Sequence, residues 1–472
     1  MTLPPLTRTP CDDGPDTGPR AARWRARLAR PVSLTRRRAA ALSAAVERDW
    51  AAALLASCAL FACAVAGISG YAPQRLWGTL AAGTYALAAL VALAGRRRGL
   101  PLALAISVGG AVLVPLVWMA TARTGQPEVG VVIRSAGMFL HRGTPYQGAH
   151  AIEATHNAYN YDPYLPALAI FGLPRAWLGQ GLLTDPRVWF GAVFALAFGW
   201  TLKLSEVRRP WLWTAAVIAS PVIAYPLTTG GDDLPVLALL CLGLALLRPA
   251  AGSGTVAGQG GAWEAGSGSR GDESWPRAGM TTRRIVLGGL VLGLAAAMKA
   301  TAWPAIAVAL ALVAARGGWR AAGWLVLAAL SVPLAVDGPV LVSQPGPVAT
   351  NTILFPLGLT KIKTPAASAL PGHLIAQLGT WGHWAAIALI LAGGLAVAAW
   401  LVLRPPQDER AAGWRLVTGL VVMFTFAPAT RFGYIVYPLG LACWVLLATF
   451  GTAAGRSLPG SRSAAVPAGG RT

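Results

Sequence analysis

Roughly a dozen apolar runs dominate this chain and limit what it can fold into. Of its 472 residues, 55% are hydrophobic and only 12% are charged, whereas soluble domains average about 25% charged residues. A run of about 20 apolar residues crosses a bilayer as a helix. The sequence therefore predicts an all-α polytopic membrane protein with about 12 transmembrane helices. The predicted spans lie near residues 50–68, 77–94, 100–120, 188–204, 210–227, 234–247, 285–298, 302–315, 321–336, 381–403, 414–427 and 432–450.

The basic residues are distributed unevenly between the two sides of this predicted bundle. With the N-terminus placed in the cytoplasm, 29 of the 39 Lys and Arg residues fall in cytoplasmic segments, as the positive-inside rule requires. Both termini are therefore predicted to be cytoplasmic, in a multi-pass protein of the cell membrane. The formal net charge of +21 follows from this topology. Nucleic acid is not indicated as a partner, because the aromatic residues that would stack on bases lie mostly inside spans.

Polar segments divide the chain around its membrane domain, residues 49–453. Residues 1–48 are rich in Arg and Pro and predict a disordered cytoplasmic tail attracted to anionic membrane lipids. Residues 249–283 are rich in Gly and Ser and predict a cytoplasmic linker. Residues 454–472 predict a second disordered cytoplasmic tail.

One polar interruption, residues 121–187, is far longer than the other predicted outer loops. A protein that only sits in a bilayer has no use for such a loop, whereas an enzyme acting on a lipid-linked substrate does. Apolar residues recur at helical spacing up to Arg142, and Gly143 is a natural stop, so we expect a helix lying in the membrane interface. A second interfacial helix is expected over 164–171, ending at 172–174.

Glu128, just before the first of these helices, is the candidate catalytic residue. A carboxylate near the outer surface can accept a proton from a sugar hydroxyl as that hydroxyl attacks an activated donor. The alternative is a solvated loop acid, since helix N-termini attract acids without function. We find no Walker loop, Rossmann fingerprint, zincin or nucleophile-elbow motif, so the energy must come from an activated substrate.

Three further charged residues stand at the outer ends of predicted spans. Asp232 and Asp233 are a carboxylate pair that suits a divalent cation or sugar hydroxyls, or they are ordinary acids at the start of a helix. Lys299 lies in a very short hairpin, where a cation is costly unless paired. A lipid phosphate is one candidate partner, and a lysine reaching to the membrane interface is the alternative.

Two arginines and one histidine complete the charged candidates. Arg134 and Arg431 suit bidentate phosphate recognition, so each is expected to bind either an anionic donor or lipid headgroups. His373 lies in the predicted outer stretch 360–379, which is a candidate to fold over the site. A lone histidine is more often structural.

Several segments together resemble a known group of membrane enzymes. These segments are EVGVVIRSAGMFLHRGTPY, YNYDPYLPALAIFGLP, GGDDLPVLALLCLGLALL and GLAAAMKATAWPAIAVALAL. They resemble the GT-C superfamily of membrane glycosyltransferases, and within it glycosyltransferase family 87, the polyprenol-phosphate-mannose-dependent mannosyltransferases of actinobacteria. Two differences stand out: the family acid is commonly Asp, and the family loop commonly follows the first span, whereas here it follows the third.

The resemblance implies a GT-C-like fold and an inverting transfer of a sugar from a polyprenyl-phosphate donor to a lipid, glycan or protein acceptor on the outer face. Mannose is the sugar that it implies. By the same resemblance Glu128 is the general base, and Lys299 and Arg431 contact the donor phosphate. The segment containing Tyr159, Tyr161, Asp162 and Tyr164 shapes the pocket. No cofactor or metal is required on this basis, although Asp232 and Asp233 permit a cation.

Two alternatives stay open. Since the family Asp is missing, one is a family member with only a scaffolding role. The other is a transporter or flippase of a polyprenyl-linked or lipidic substrate. Such a protein is expected to place ionisable residues at mid-span and to contain internal repeats. The polar residues of this chain instead gather at one predicted membrane face, which favours an enzyme.

Overall fold

The computed structural model describes residues 46–95, 98–248 and 280–451. Its regular secondary structure within these ranges is helical, with one isolated parallel bridge between Ala367 and Thr430. The predicted disordered tails and Gly/Ser linker fall on residues 1–45, 249–279 and 452–472, outside the described ranges. Two of their predicted borders extend a few residues into helices, which begin at Val46 and Thr282.

The α-helices follow one another with short connections. Up to residue 246 they are α1 (Val46–Ile68), α2 (Ala72–Ala94), α3 (Gly99–Val108), α4 (Val114–Thr121), α5 (Pro127–Arg142), α6 (Ala149–Thr155), α7 (Leu173–Leu178), α8 (Pro186–Leu204), α9 (Pro210–Ile218), α10 (Pro221–Thr229) and α11 (Leu234–Leu246). From residue 282 they are α12 (Thr282–Met298), α13 (Trp303–Val336), α14 (Gly338–Ser343), α15 (Pro345–Ala349), α16 (Pro371–Ala376), α17 (Thr380–Leu403), α18 (Glu409–Phe426) and α19 (Val436–Phe450). π-Helical turns Gly109–Leu113 and Thr350–Leu354 and the 3₁₀ helices Ala158–Asn160, Pro166–Gly172, Ala300–Ala302 and Phe432–Ile435 complete the described elements.

Seven helices in the described ranges are long and apolar enough to cross a membrane, and the bent pair α9 and α10 makes eight if it forms one span. They are Val46–Ile68, Ala72–Ala94, Gly99–Thr121, Pro186–Leu204, Ala300–Val336, Thr380–Leu403 and Phe432–Phe450. The protein is therefore embedded in a membrane. The sequence count of twelve is higher because it includes α11, α12 and α18, of 13, 17 and 18 residues. It also divides α13, whose backbone is non-helical at Gly318, into two spans.

The centre of the bundle is α11, which packs between α8 and α12. Eleven of its thirteen residues are buried, and a helix that is apolar on all sides is stable in such a position. Small residues let neighbouring backbones approach closely. At Gly293 on α12, for example, an added Cβ would lie 2.3 Å from the carbonyl oxygen of Ala329 on α13.

The long polar loop folds onto one end of this bundle. Its first predicted helix is confirmed as α5, which begins with Pro127 and ends at Gly143 in the left-handed conformation (φ 70°), as helix-starting proline and helix-ending glycine favour. The second prediction was partly wrong. Residues 166–172 form a 3₁₀ helix that continues into α7, because Pro174 falls in the first turn of α7, where no backbone N–H is needed.

Candidate functional site

A pocket of about 550 Å³, open mouth included, lies where the long polar loop meets the segment before α19. The N-terminal turn of α5, the aromatic segment 158–164, the loop 355–366 and residues 429–434 surround it. Five of the residues singled out in the sequence line it. They are Glu128, Tyr159, Tyr161, Tyr164 and Arg431. The fold therefore gathers these separate predicted residues around one cavity.

Glu128 and Arg431 form an ion pair in this pocket. The guanidinium of Arg431 donates from Nη1 to Oε1 of Glu128. The second carboxylate oxygen of Glu128, Oε2, is buried and has no hydrogen-bond partner among the described residues. A buried polar atom without a partner is costly and uncommon. This carboxylate therefore keeps one acceptor position available beside the pocket.

The start of α5 is anchored to the bundle by backbone and side-chain bonds. The amide of Gln126 donates to the carbonyl of Thr229 (2.7 Å). The buried guanidinium of Arg187 donates to the carbonyls of Thr124 and Thr228, both at 2.9 Å. It also binds both carboxylate oxygens of Asp185 at 2.9 Å. Because the charge of Arg187 is balanced, this network fixes the backbone just before Glu128 at little electrostatic cost.

Asp162 holds the aromatic segment 158–164 in place through hydrogen bonds of its side chain and backbone. Ser135 Oγ on α5 donates to its Oδ2 (2.5 Å), and the Tyr164 amide donates to its Oδ1 (3.0 Å). The backbone amide of Asp162 in turn donates to Asn351 Oδ1 (2.9 Å). Burial raises the pKa of Asp162 to about 6, since desolvation disfavours the charged carboxylate. The side chain of Asp162 thus holds the pocket wall together rather than lining the pocket.

Aromatic side chains form the wall that Asp162 positions. The ring of Tyr161 stacks on Phe355 with ring centroids 4.3 Å apart. The Tyr146 hydroxyl donates to the carbonyl of Tyr164 (2.8 Å). The buried hydroxyl of Tyr161 finds no hydrogen-bond partner within the part of the chain that the structure describes. The pocket thus combines apolar ring faces with polar groups that still have bonding capacity.

Lys299, Asp232 and Asp233 form a buried cluster behind this wall. The ammonium of Lys299 donates to Asp232 Oδ2 (2.6 Å) and to Asp233 Oδ1 (2.5 Å), and the Tyr437 hydroxyl donates to the same Asp233 oxygen (2.9 Å). Lys299 is only 6% exposed, so it does not extend to the membrane interface. Asp233 stands at the start of α11, yet its carboxylate forms no capping bond to the described backbone of that helix.

One aromatic side chain joins the cluster to the pocket. Lys299 Nζ lies 4.6 Å from the ring centroid of Tyr164, and Tyr164 also lines the pocket. A cation over an aromatic face is attracted by the ring quadrupole. One positive and two negative charges leave the cluster with a formal charge of −1. Lys299 is therefore already balanced by its own carboxylates.

The remaining two predicted residues lie at the margins of the site. Arg134 Nη2 donates to the Asn160 carbonyl at 3.5 Å. It thus contacts the aromatic segment without lining the pocket. The Nδ1 atom of His373 lies 2.8 Å from the Pro428 carbonyl oxygen, three residues before Arg431. Both residues support segments that line the pocket.

Several residues of the site carry no prior signal in the sequence. Phe355, Asn351 and residues 364–366 reach the pocket or its supports from the stretch after α15. Their loop is joined to the Arg431 segment through backbone bonds of Thr430 with Ala366 and Ser368, each 3.0 Å. The sequence indicated only one part of this arrangement, through the prediction that residues 360–379 fold over the site.

The donor atoms of the site bear on the question of a metal ion. Among the described residues, no three His, Cys, Asp or Glu side chains converge as metal ligands do. Asp232 and Asp233 face the ammonium of Lys299 at 2.5–2.6 Å. A divalent cation between these carboxylates would meet that positive charge, so the pair fits an ammonium better than a metal.

Comparison of this chain with protein-family models, with curated proteins and with solved structures gives no match. The functional argument therefore rests on the pocket itself. It offers a buried carboxylate with one oxygen available, a guanidinium and aromatic surfaces, at the end of a membrane-embedded bundle. This is a set of groups suited to proton abstraction beside an anionic, partly apolar ligand.

Proposed function

We propose that the protein is a GT-C-type membrane glycosyltransferase that moves a sugar from a polyprenyl-phosphate donor to a lipid, glycan or protein acceptor. One observation carries the proposal: Glu128 and Arg431 meet in an aromatic-lined pocket, and Glu128 keeps one buried oxygen without a partner in the described chain. Mannose is the sugar implied by the resemblance to glycosyltransferase family 87.

The proposed chemistry assigns one role to each of these two residues. Glu128 accepts the proton of the acceptor hydroxyl while the hydroxyl oxygen attacks the anomeric carbon of the donor sugar. The bond between that carbon and the phosphate oxygen breaks, and its electron pair stays on the phosphate. Arg431 faces the phosphate and stabilises the charge that develops there. Attack opposite to the leaving group inverts the anomeric centre.

The role of Lys299 differs in this proposal from the one implied by the resemblance. Because Asp232 and Asp233 already balance its charge, we assign the donor phosphate to Arg431 alone. The Lys299 cluster instead supports Tyr164 from behind through the cation–π contact. The half-buried ring of Tyr159, which also lines the pocket, remains available to a sugar ring or to the first isoprene units.

The proposed setting is the outer face of the cell membrane, with both termini in the cytoplasm. This topology follows from twelve spans. The count of twelve requires that α11, α12 and α18 cross the membrane as short helices inside the bundle and that α13 forms two spans divided at Gly318. The nearly complete burial of α11 supports this, because a helix shielded by protein does not need full hydrophobic length. Helix α5 then lies in the membrane interface, and the pocket opens where a lipid-linked donor presents its phosphate.

The test is a transfer assay with the proposed donor. Membranes containing the wild type or Glu128→Gln are incubated with radiolabelled polyprenyl-phosphate-mannose, and lipids, glycans and proteins are extracted separately. Label bound covalently to an acceptor with the wild type alone supports the proposal. Equal labelling with both proteins contradicts the assignment of Glu128. Label that crosses sealed vesicles without covalent transfer would support a transporter instead.

A further inference from the structure

Arg431 and Glu128 are held very differently, although they form one ion pair. The Glu128 side chain is 12% exposed and stands on the anchored first turn of α5, whereas the Arg431 side chain is 33% exposed. Arg431 also has an extended backbone (φ −126°, ψ 142°) just before a 3₁₀ helix. Of the two partners, the guanidinium is therefore the one that is able to move within the pocket.

The observed pairing and the proposed chemistry give the Arg431 guanidinium two competing anionic partners. It binds Oε1 of Glu128, and it is also a half-buried cation lining the pocket, where a phosphate would meet it. A carboxylate oxygen bound to a guanidinium is a weaker proton acceptor than a free one, because the neighbouring positive charge favours the ionised carboxylate. The paired arrangement thus weakens the proposed base at one oxygen.

We propose that Arg431 exchanges partners during the reaction, binding Glu128 before the donor arrives and the donor phosphate afterwards. This inference rests on the proposed function. The exchange frees Glu128 Oε1 only when donor is present, so both carboxylate oxygens of the base are free of the guanidinium only when there is a sugar to transfer. When the sugar leaves, the phosphate gains one negative charge and is already bound to the guanidinium.

The backbone around Arg431 is suited to such an exchange. Its neighbour Thr430 donates its amide to Ala366 and accepts the amide of Ser368, both at 3.0 Å. The Pro428 carbonyl, three residues before Arg431, is bound by His373 (2.8 Å). The segment is therefore fixed while the long side chain of Arg431 swings, and no helix has to move.

The exchange makes an unusual prediction for donor binding. A ligand that must first separate an ion pair binds with reduced apparent affinity, because only the separated fraction is competent. Removing the charge of Glu128 should therefore strengthen binding of a lipid phosphate, by about tenfold for a coupling of about 1.4 kcal/mol. A purely structural ion pair predicts unchanged or weaker binding.

The experiment measures binding of farnesyl phosphate to purified protein in neutral phosphatidylcholine nanodiscs, with farnesol as the uncharged comparison. Glu128→Gln is expected to bind about tenfold more tightly than the wild type. Glu153→Gln is the matched control, since Glu153 pairs with Lys361 outside the pocket (2.8 Å), and it should not change the affinity. Equal or weaker binding by Glu128→Gln, with binding by the wild type intact, overturns the exchange but leaves the proposed function standing.

A second measurement uses the wild type alone and does not depend on how the variant folds. Carbodiimide labelling of Glu128, quantified by mass spectrometry, should rise several-fold when farnesyl phosphate is added, because the carboxylate loses its guanidinium. Unchanged labelling with bound farnesyl phosphate overturns the exchange. If the wild type binds farnesyl phosphate no better than farnesol, the donor class is wrong and the proposed function fails together with the exchange.

Discussion

Replacing Lys299 by Met should be among the most destabilising single changes in this protein. The substitution keeps an unbranched side chain, one atom shorter, but leaves Asp232 and Asp233 facing each other without a cation. The side chains of the three residues are 7%, 10% and 16% exposed, in the order Lys299, Asp232, Asp233. Solvent therefore compensates little of the lost charge.

The magnitude follows from that burial. Removing one member of a buried, hydrogen-bonded ion pair costs about 3–5 kcal/mol, because the remaining charge is left uncompensated. An exposed ion pair contributes only about 0–1 kcal/mol. The chain offers an exposed pair for comparison, Lys361 with Glu153, in which the Lys361 side chain is 81% exposed. Lys361→Met should therefore change the free energy of unfolding by less than about 1 kcal/mol.

The assay is SDS-driven unfolding in mixed micelles, followed by tryptophan fluorescence and far-UV circular dichroism. The triple variant Lys299→Met, Asp232→Asn, Asp233→Asn should recover most of the lost stability, since it carries no buried charge at this place. A loss below about 1 kcal/mol for Lys299→Met, or no recovery in the triple variant, would refute the assignment of a buried cluster in which Lys299 neutralises its carboxylate neighbours.

Two further predictions concern the supports of the pocket. Arg187→Met should cost about 3–5 kcal/mol, because it leaves buried Asp185 with only the longer ion pair to Arg175 (3.7 Å) and two carbonyls without donors. The same unfolding assay checks this, and a loss like that of exposed Lys361→Met would contradict it. The second prediction concerns Asp162, whose pKa is raised by burial to about 6, so the folded state favours the protonated carboxyl. The contribution of this group to stability is therefore greatest below about pH 4 and is lost as the pH rises to about 6. Thermal midpoints from pH 4 to 7 should therefore fall less steeply for Asp162→Asn than for the wild type, and parallel profiles would show that the carboxyl has an ordinary pKa.

The parts of the fold that the sequence predicted are those encoded by local signals. Helix α5 is bounded by Pro127 and Gly143, each of which acts on its own turn of backbone. The long spans follow from hydrophobic length alone. The 3₁₀ helix at 166–172 was not predicted, because 3₁₀ and α helices differ only in whether each hydrogen bond spans three or four residues. Packing decides between them. Here the segment packs closely on α5, where an added Cβ at Gly172 would lie 2.5 Å from the Val132 carbonyl oxygen.

The candidate site was predictable as a set of residues but not as a set of contacts. Glu128 and Arg431 are separated by 303 positions, and Asp232 and Lys299 by 67. No periodicity connects such distant residues, so each could be assigned a role from its residue type while its partner stayed open. Lys299 shows the difference: its type suggested a phosphate, whereas the fold supplies two carboxylates.

The central claim is that Glu128 is the base of a sugar transfer in this pocket, and the rate of a single turnover tests it most directly. Purified wild type, Glu128→Gln and the control Glu153→Gln are compared in nanodiscs, each with excess labelled polyprenyl-phosphate-mannose and membrane extract as the source of acceptor. The account predicts that Glu128→Gln transfers label about 10²–10⁴-fold more slowly, while Glu153→Gln matches the wild type. A Glu128→Gln rate within a factor of about three of the wild type, in a protein that still folds, would contradict the account, since loss of a true general base costs far more.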